Sequence, residues 1–170
     1  MEISVRSRQL FLLEDDPYAM GIIPHLEQYG KGFEVTHVAE LDSAIYCFDH
    51  DPGINYFGKF IFDISVPKCT YIRNDKTIVY GNTLNYAGLD FILDQYQNND
   101  LFCQCVREGR MVILTAHDNA CRQALNKSTG KAAKNVLQQI PIITKVQDDM
   151  LFQVRRFLSG TLPIGAHGGA

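Results

Sequence analysis

The sequence predicts an α/β fold: a parallel sheet with helices wound on both of its faces. Short apolar runs recur at Phe11-Leu12-Leu13, Phe60-Ile61-Phe62, Met111-Val112-Ile113-Leu114 and Ile140-Pro141-Ile142-Ile143, each the length of a buried strand. Helix-length amphipathic segments separate them, so strands and helices alternate along the chain. Each run also ends in polar residues: Glu14-Asp15-Asp16, Asp63, Thr115 and Lys145. In an open α/β sheet the ligand site lies beyond the carboxyl ends of the strands. Carboxylates, a hydroxyl and an amine that are far apart in sequence are therefore expected to meet in one small pocket.

The elements follow in order. The first strand covers residues 9–13. Pro17 suits the first turn of a helix, and residues 21–30 are amphipathic and closed by Gly30. Pro24 inside that stretch implies a kink or a late helix start. Residues 33–38 alternate as a second strand. The next helix places Leu41, Ala44, Ile45 and Phe48 on one face, and Asp51-Pro52-Gly53 marks a turn. Residues 59–63 form the third strand. Residues 68–87 break the alternation: two β-rich runs, 70–73 and 77–80, flank Asn74-Asp75-Lys76 and predict a small β-hairpin. Residues 88–97 read as a helix and 111–116 as the fourth strand. Residues 118–139 read as a long helix, or one broken near Gly130. Residues 141–145 form the fifth strand. The last helix, 148–158, opens on Asp148 and Asp149 and carries Arg155 and Arg156 near its end, matching the helix dipole. Residues 159–170 have little to pack and are expected to form a flexible tail or linker. The sum is (βα)5.

Composition narrows the function classes. A chain of 170 residues suits one domain with a substantial core. It is 46% hydrophobic and 21% charged, as ordinary soluble domains are. A net charge of -3, with no basic stripe, gives no reason to expect direct nucleic-acid binding. The apolar stretches fall short of a bilayer span and the first ten residues lack a signal-peptide core, so a cytosolic protein without membrane contact is expected. The cysteines, Cys47, Cys69, Cys103, Cys105 and Cys121, are odd in number and form no paired CxxC motif. Cys103-Gln104-Cys105 could hold a metal, but a short apolar segment more often buries thiols as small hydrophobes, and a disulfide framework is not expected.

The four strand-end segments LLEDDP, FDISVP, LTA and ITK, in that order, resemble the signature segments of response-regulator receiver domains, the CheY-like phosphoacceptor family. The resemblance spans residues 8–158 and implies a flavodoxin-like (βα)5 sandwich with a five-stranded sheet in the order 2-1-3-4-5. It also implies roles residue by residue. Pro17 sets the register of the first segment, so that Glu14 and Asp15 are the metal-binding acids and Asp16 is variable. Asp63, opening Asp-x-x-x-Pro with Pro67, resembles the phosphoacceptor. Ser65 would give a backbone carbonyl to the metal, Thr115 would be the switch hydroxyl and Lys145 would contact the phosphoryl group. The implied cofactor is Mg2+, with Asp15 and Asp63 ligating directly and Glu14 largely through water. The implied partners are a histidine kinase or a histidine phosphotransfer protein, with an unnamed output partner and room for a homodimer. The domain would catalyse its own phosphorylation and dephosphorylation and no metabolic reaction.

These residue types suit the chemistry. A carboxylate can attack phosphorus and form an acyl phosphate. Clustered carboxylates repel one another, and a hard cation with oxygen ligands neutralises them. A lysine offers a point charge to a phosphoryl oxygen, and a threonine hydroxyl that moves to a phosphate couples chemistry to shape.

Each residue also has a plainer reading. Asp63 alone would be a turn or cap residue, the acidic triplet a solvated charge run, Thr115 an N-cap, Lys145 a surface lysine and His117 a loop residue. The ordered set of four segments outweighs these for Asp63, Glu14 and Asp15. His117, two residues past Thr115, is evenly balanced between loop residue and a group that tunes water access.

Four departures from the family pattern stand out. Residues 68–87 are an insertion beside the expected pocket, either functional or a cover for the domain's own edge. Val146 stands where the family has Pro after its lysine. Ile142 stands where an aromatic switch is usual. Residues 127–139 lengthen the path from Thr115 to Lys145, on a face the family uses for output. Two other functions are open: an interaction module whose binding does not depend on phosphate, and a metal-dependent phosphatase, against which Ser65 stands in place of the second acid such enzymes need.

Overall fold

The computed structural model describes residues 6–17, 19–29, 32–81, 86–117, 119 and 131–163. In chain order the elements are β1 (Arg6–Leu13), α1 (Ile23–Gln28), β2 (Glu34–Val38), α2 (Leu41–His50), β3 (Phe57–Phe62), β4 (Cys69–Arg73), β5 (Lys76–Tyr80), α3 (Ala87–Asn98), α4 (Asp100–Arg107), β6 (Met111–Thr115), α5 (Lys131–Gln139), β7 (Ile142–Thr144) and α6 (Met150–Leu158). Five strands form one parallel sheet in the order β2-β1-β3-β6-β7, and β4 and β5 pair separately as an antiparallel hairpin. With the hairpin set aside, this is the expected order 2-1-3-4-5.

Period-two alternation sorts side chains to the two faces. Phe11, Leu13, Phe60, Phe62 and Ile113 pack against α2, α3, α4 and α5. Leu10, Leu12, Ile61, Val112 and Ile143 pack against α1 and α6. The first face is rich in phenylalanine: Phe62 meets Phe91 edge-on with ring centroids 6.0 Å apart, and Phe48 meets Phe102 at 5.7 Å. Such pairs add about 0.5–1.5 kcal/mol each beyond their buried area.

Local chemistry explains most boundaries. A 3-10 turn, Ala19–Ile22, leads into α1, and Pro24 sits in the first turn, where no N–H is required. The helix therefore starts late. Its expected end at Gly30 lies outside the described residues. On α2, Leu41, Ala44, Ile45 and Phe48 are all buried, as their spacing predicts. Asp51 accepts a hydrogen bond from the Gly53 N–H and caps a short 3-10 turn, Pro52–Tyr56.

The hairpin turns on Asn74 and Asp75, with φ of 50° and 62°. Positive φ at both central residues is the turn whose twist matches paired strands, and Asn and Asp enter that region at least cost after Gly. The hairpin docks on its own domain. Arg73 forms ion pairs with Asp49 on α2 at 2.8 Å and Asp94 on α3 at 3.0 Å. The Tyr80 hydroxyl donates to Asp94 at 2.8 Å, and its ring is buried in the phenylalanine-rich core.

The sequence reading gave no helix between residues 98 and 110, yet α4 forms there. The Asn99 side chain accepts hydrogen bonds from the Leu101 and Phe102 N–H groups and starts it. On this helix Cys105 is fully buried, and burial pushes its thiol up to about 11. Within the segment expected as helix over 118–139, residues 118 and 120–130, Cys121 among them, lie outside the described residues. The segment after α6 begins folded: Thr161 and Leu162 N–H both donate to the Arg156 carbonyl, and Leu162 packs on the α1 and α6 core. The tail beyond 163 lies outside the described residues. No described helix is long and apolar enough to cross a membrane.

Candidate functional site

The sheet register sets the site residues. The Asp63 N–H donates to the Leu13 carbonyl at 2.8 Å, Glu14 N–H to Val38 at 3.1 Å, and Lys145 N–H to Thr115 at 2.9 Å. Glu14, Asp63 and Lys145 are thus each the first residue past a strand, still tied to the neighbouring strand. Side chains from β1, β3, β6 and β7 converge at that one edge, as the strand-end argument requires.

Glu14 and Thr115 are fully buried and Asp63 is 2% exposed. Lys145 reaches between the acids: its Nζ lies 2.7 Å from Glu14 Oε1 and 2.7 Å from Asp63 Oδ2. Glu14 Oε1 also accepts from the Asp16 N–H at 3.0 Å, whereas Glu14 Oε2 is buried with no hydrogen-bond partner. Asp15 completes the group: ligand oxygens of Glu14, Asp15 and Asp63 all lie within 4.8 Å of one another. Ionised, these acids carry three negative charges against the single positive charge of Lys145. Burial, reinforced by the neighbouring Asp63 charge, pushes Glu14 up to about 7. Burial and Asp63 also raise Asp15. Burial alone would lower Lys145, but its hydrogen bonds to Asp63 and Glu14 outweigh that and raise it.

The hydroxyls sit beside Asp63. The Ser65 N–H donates to Asp63 Oδ1 at 2.9 Å and fixes the carboxylate plane. Ser65 Oγ and Thr115 Oγ1 are 3.3 Å apart, and Thr115 Oγ1 accepts from the His117 N–H at 3.0 Å. Thr115 is therefore held inward by its neighbours. His117 is exposed, with its ring centroid 5.7 Å from that of Tyr86, the residue that leads into α3. Asp16 is exposed at the rim. Ile142 is buried and Val146 is 75% exposed.

Three neighbours of the site were not found from the sequence. Gly88 lies so close to β3 that a Cβ there would stand 2.3 Å from the Asp63 carbonyl oxygen, and its N–H donates to Ile64. Only glycine lets α3 approach the Asp63 loop this closely. His37 Nε2 lies 2.8 Å from the Glu14 carbonyl and supports that loop from β2. Tyr86 closes one side of His117. The glycine opening a predicted helix was a usable signal, while the contacts of His37 and Tyr86 arise only from tertiary packing.

The arrangement can present a carboxylate nucleophile, a lysine and a hydroxyl beside a cluster of carboxylate oxygens suited to a hard divalent cation. No family model matches the chain, and no curated protein matches its sequence. Solved structures do match. The Mn(2+)-bound form of response regulator Rcp1 is 15% identical, with 91% of this chain and 94% of that chain covered, at a TM-score of 0.55. The phosphorylated cyanobacterial phytochrome response regulator RcpA is 15% identical, with 90% and 89% covered, at 0.52. A response regulator receiver domain protein (CheY-like) from Methanospirillum hungatei JF-1 is 14% identical, with 91% and 95% covered, at 0.51. At these identities the likeness is one of fold: the chain has the architecture of response-regulator receiver domains.

Proposed function

We propose that this protein is a receiver domain of a two-component or phosphorelay system, phosphorylated on Asp63. The observation that carries the reading is the Lys145 ammonium placed between Asp63 and Glu14, in a cluster that remains short of positive charge. A Glu14 oxygen left without a partner, and donors that are all oxygens, suit a hard divalent ion. Glu14, Asp15, Asp63 and the Ser65 carbonyl would hold Mg2+, which when bound offsets charge on the phosphoryl oxygens.

The residues divide the remaining work. An Asp63 carboxylate oxygen attacks phosphorus as the P–N bond to a partner's phosphohistidine breaks, and the imidazole nitrogen keeps the electron pair and takes a proton. Ser65 N–H holds the other carboxylate oxygen. Lys145 passes from Asp63 Oδ2 to a phosphoryl oxygen. Thr115 can exchange its contact with Ser65 for another phosphoryl oxygen. The donor is a histidine kinase or phosphotransfer protein, the compartment is the cytosol, and the protein acts as a switch that hydrolyses its own acyl phosphate.

The test is direct. Incubation with acetyl phosphate and Mg2+ is expected to add one phosphoryl group, labile to hydroxylamine, at Asp63. Equal labelling of Asp63→Asn protein overturns the reading.

A further inference from the structure

The β4–β5 hairpin turns one face to the domain and leaves an edge of β4 open. Around a two-residue turn the closing pair, Arg73 and Lys76, is hydrogen-bonded, and such pairs alternate along the ladder. Tyr71–Ile78 and Cys69–Tyr80 are then hydrogen-bonded pairs. Thr70 and Ile72, opposite Val79 and Thr77, fall between them, so their N–H and C=O groups point away from β5. Among the described residues neither has a backbone hydrogen bond outside the ladder.

That open edge runs beside a groove whose other wall is α2. Three hollows of about 360, 770 and 270 Å3 follow one another along it and share walls. Consecutive β4 residues line them, which makes the strand's edge, rather than one of its faces, the wall. On α2, Tyr46 is 59% exposed and stacks on His50 at 4.2 Å, and Ile72 on β4 is 69% exposed. Charge is uneven along the groove. At the Cys69 end stand Glu40 and Asp42, with Lys68 the one base among the lining residues there. Neither acid forms an ion pair among the described residues. At the other end Arg73 is already engaged by Asp49 and Asp94.

We propose that this groove is a strand-addition site: an extended segment of a partner protein pairs with the β4 backbone at Thr70 and Ile72, lays apolar side chains against Tyr46 and Ile72, and sets a lysine or arginine beside Glu40 and Asp42. A free donor and acceptor on every second residue is what an added strand requires, and the apolar and acidic walls supply its selectivity. The inference stands apart from the phosphorylation reading: Pro67 lines the Cys69 end of the groove, but Glu14, Asp15, Asp63, Ser65, Thr115 and Lys145 do not.

The probes are blocked heptapeptides of alternating Thr and Val with arginine at both ends, the same peptide with glutamate at both ends, and an arginine peptide N-methylated on every residue, so that neither of its edges can donate. Backbone amide NMR of the full chain reads the site. The arginine peptide is expected to shift the Thr70 and Ile72 amides and slow their hydrogen exchange, the glutamate peptide to bind several-fold more weakly, and the N-methylated peptide not to bind. Thr70→Pro removes one free donor at a position that does not bond to β5. It is expected to abolish binding with the circular dichroism unchanged. Should that variant unfold, the N-methylated peptide still decides. Absence of shifts at Thr70 and Ile72, equal binding of the N-methylated peptide, or occupation of the edge by a second copy through concentration-dependent dimerisation overturns the proposal.

Discussion

Lys145 Nζ sits 2.7 Å from an oxygen of Glu14 and 2.7 Å from an oxygen of Asp63, though 131 and 82 residues separate these partners in the chain. One ammonium thus joins the carboxyl ends of β1, β3 and β7. Loss of one member of a buried ion pair strands the other charges, a cost of about 3–5 kcal/mol. Lys145→Met is expected to lose stability on that scale in urea denaturation near pH 8. The loss should shrink near pH 5, where Glu14 takes up a proton. An equal loss at both pH values would separate the lysine from Glu14.

The same cluster gives a pH dependence with a defined sign. Glu14 has its pKa raised from 4.5 to about 7 in the folded state. Between those values the folded protein binds more protons than the unfolded chain, so stability falls as pH rises through the window. The whole contribution is on the order of 3 kcal/mol. Asp15 is shifted in the same direction. Thermal denaturation in chelator is expected to give a lower midpoint at about pH 8 than at about pH 5. Added Mg2+ should raise the midpoint more at the higher pH, because the acids are then ionised and free to ligate.

Gly88→Ala places a methyl group where 2.3 Å separates it from the Asp63 carbonyl oxygen. Either α3 or the Asp63 loop must move. Overpacking of this kind costs about 1–3 kcal/mol. Chemical denaturation is expected to show that loss, and the folded variant to phosphorylate more slowly with acetyl phosphate. A normal rate in a destabilised protein would mean that α3 alone yields.

Tyr80 separates packing from polar contact in the hairpin. Tyr80→Phe keeps the ring and loses the hydrogen bond to Asp94, a change of about 1 kcal/mol. Tyr80→Ala empties a site in the phenylalanine-rich core and is expected to cost about 3–5 kcal/mol. Similar small losses for both would mean the hairpin contributes little to the core.

Ser65→Ala removes the hydroxyl that lies 3.3 Å from Thr115 Oγ1. Thr115 is then held only by the His117 N–H, and its side chain is expected to populate a second rotamer in methyl NMR spectra. A single unchanged rotamer would show that packing, and not Ser65, orients Thr115. If wild type shows the same Thr115 rotamer and the same partner affinity with and without fluoroberyllate, the phosphate-independent interaction module becomes the better account.

Much of the fold was legible because four of the five sheet strands declare themselves twice, by an apolar run and by the polar residues that follow it, and β2 by its alternation. The hairpin was legible from Asn74-Asp75 between two β-rich runs. α4 was not, because its short apolar segment carries as much strand signal as helix signal, and the deciding contact is the Asn99 cap. In the site, residue types and order indicated which side chains should meet. They could not indicate that Glu14 would be fully buried, or that its partner would be Lys145, since both follow from strand register. For Gly88 the sequence carried half of the signal, a glycine at the start of a predicted helix; the other half, its close approach to the loop after β3, comes from tertiary packing.

The two feet of the hairpin stand against each other. A Cβ built on Gly81 would lie 2.8 Å from the Lys68 side chain, so the chain leaves the domain and returns at nearly one point. An excursion closed at its base leaves the surrounding path almost unchanged whatever its length, since the entropy of closure grows only slowly with added residues. The fold can therefore carry a longer, shorter or differently patterned appendage on this stem, provided a tyrosine-sized plug still fills the hole beneath it, and it can do so without redrawing the strand ends that hold Glu14, Asp63 and Lys145.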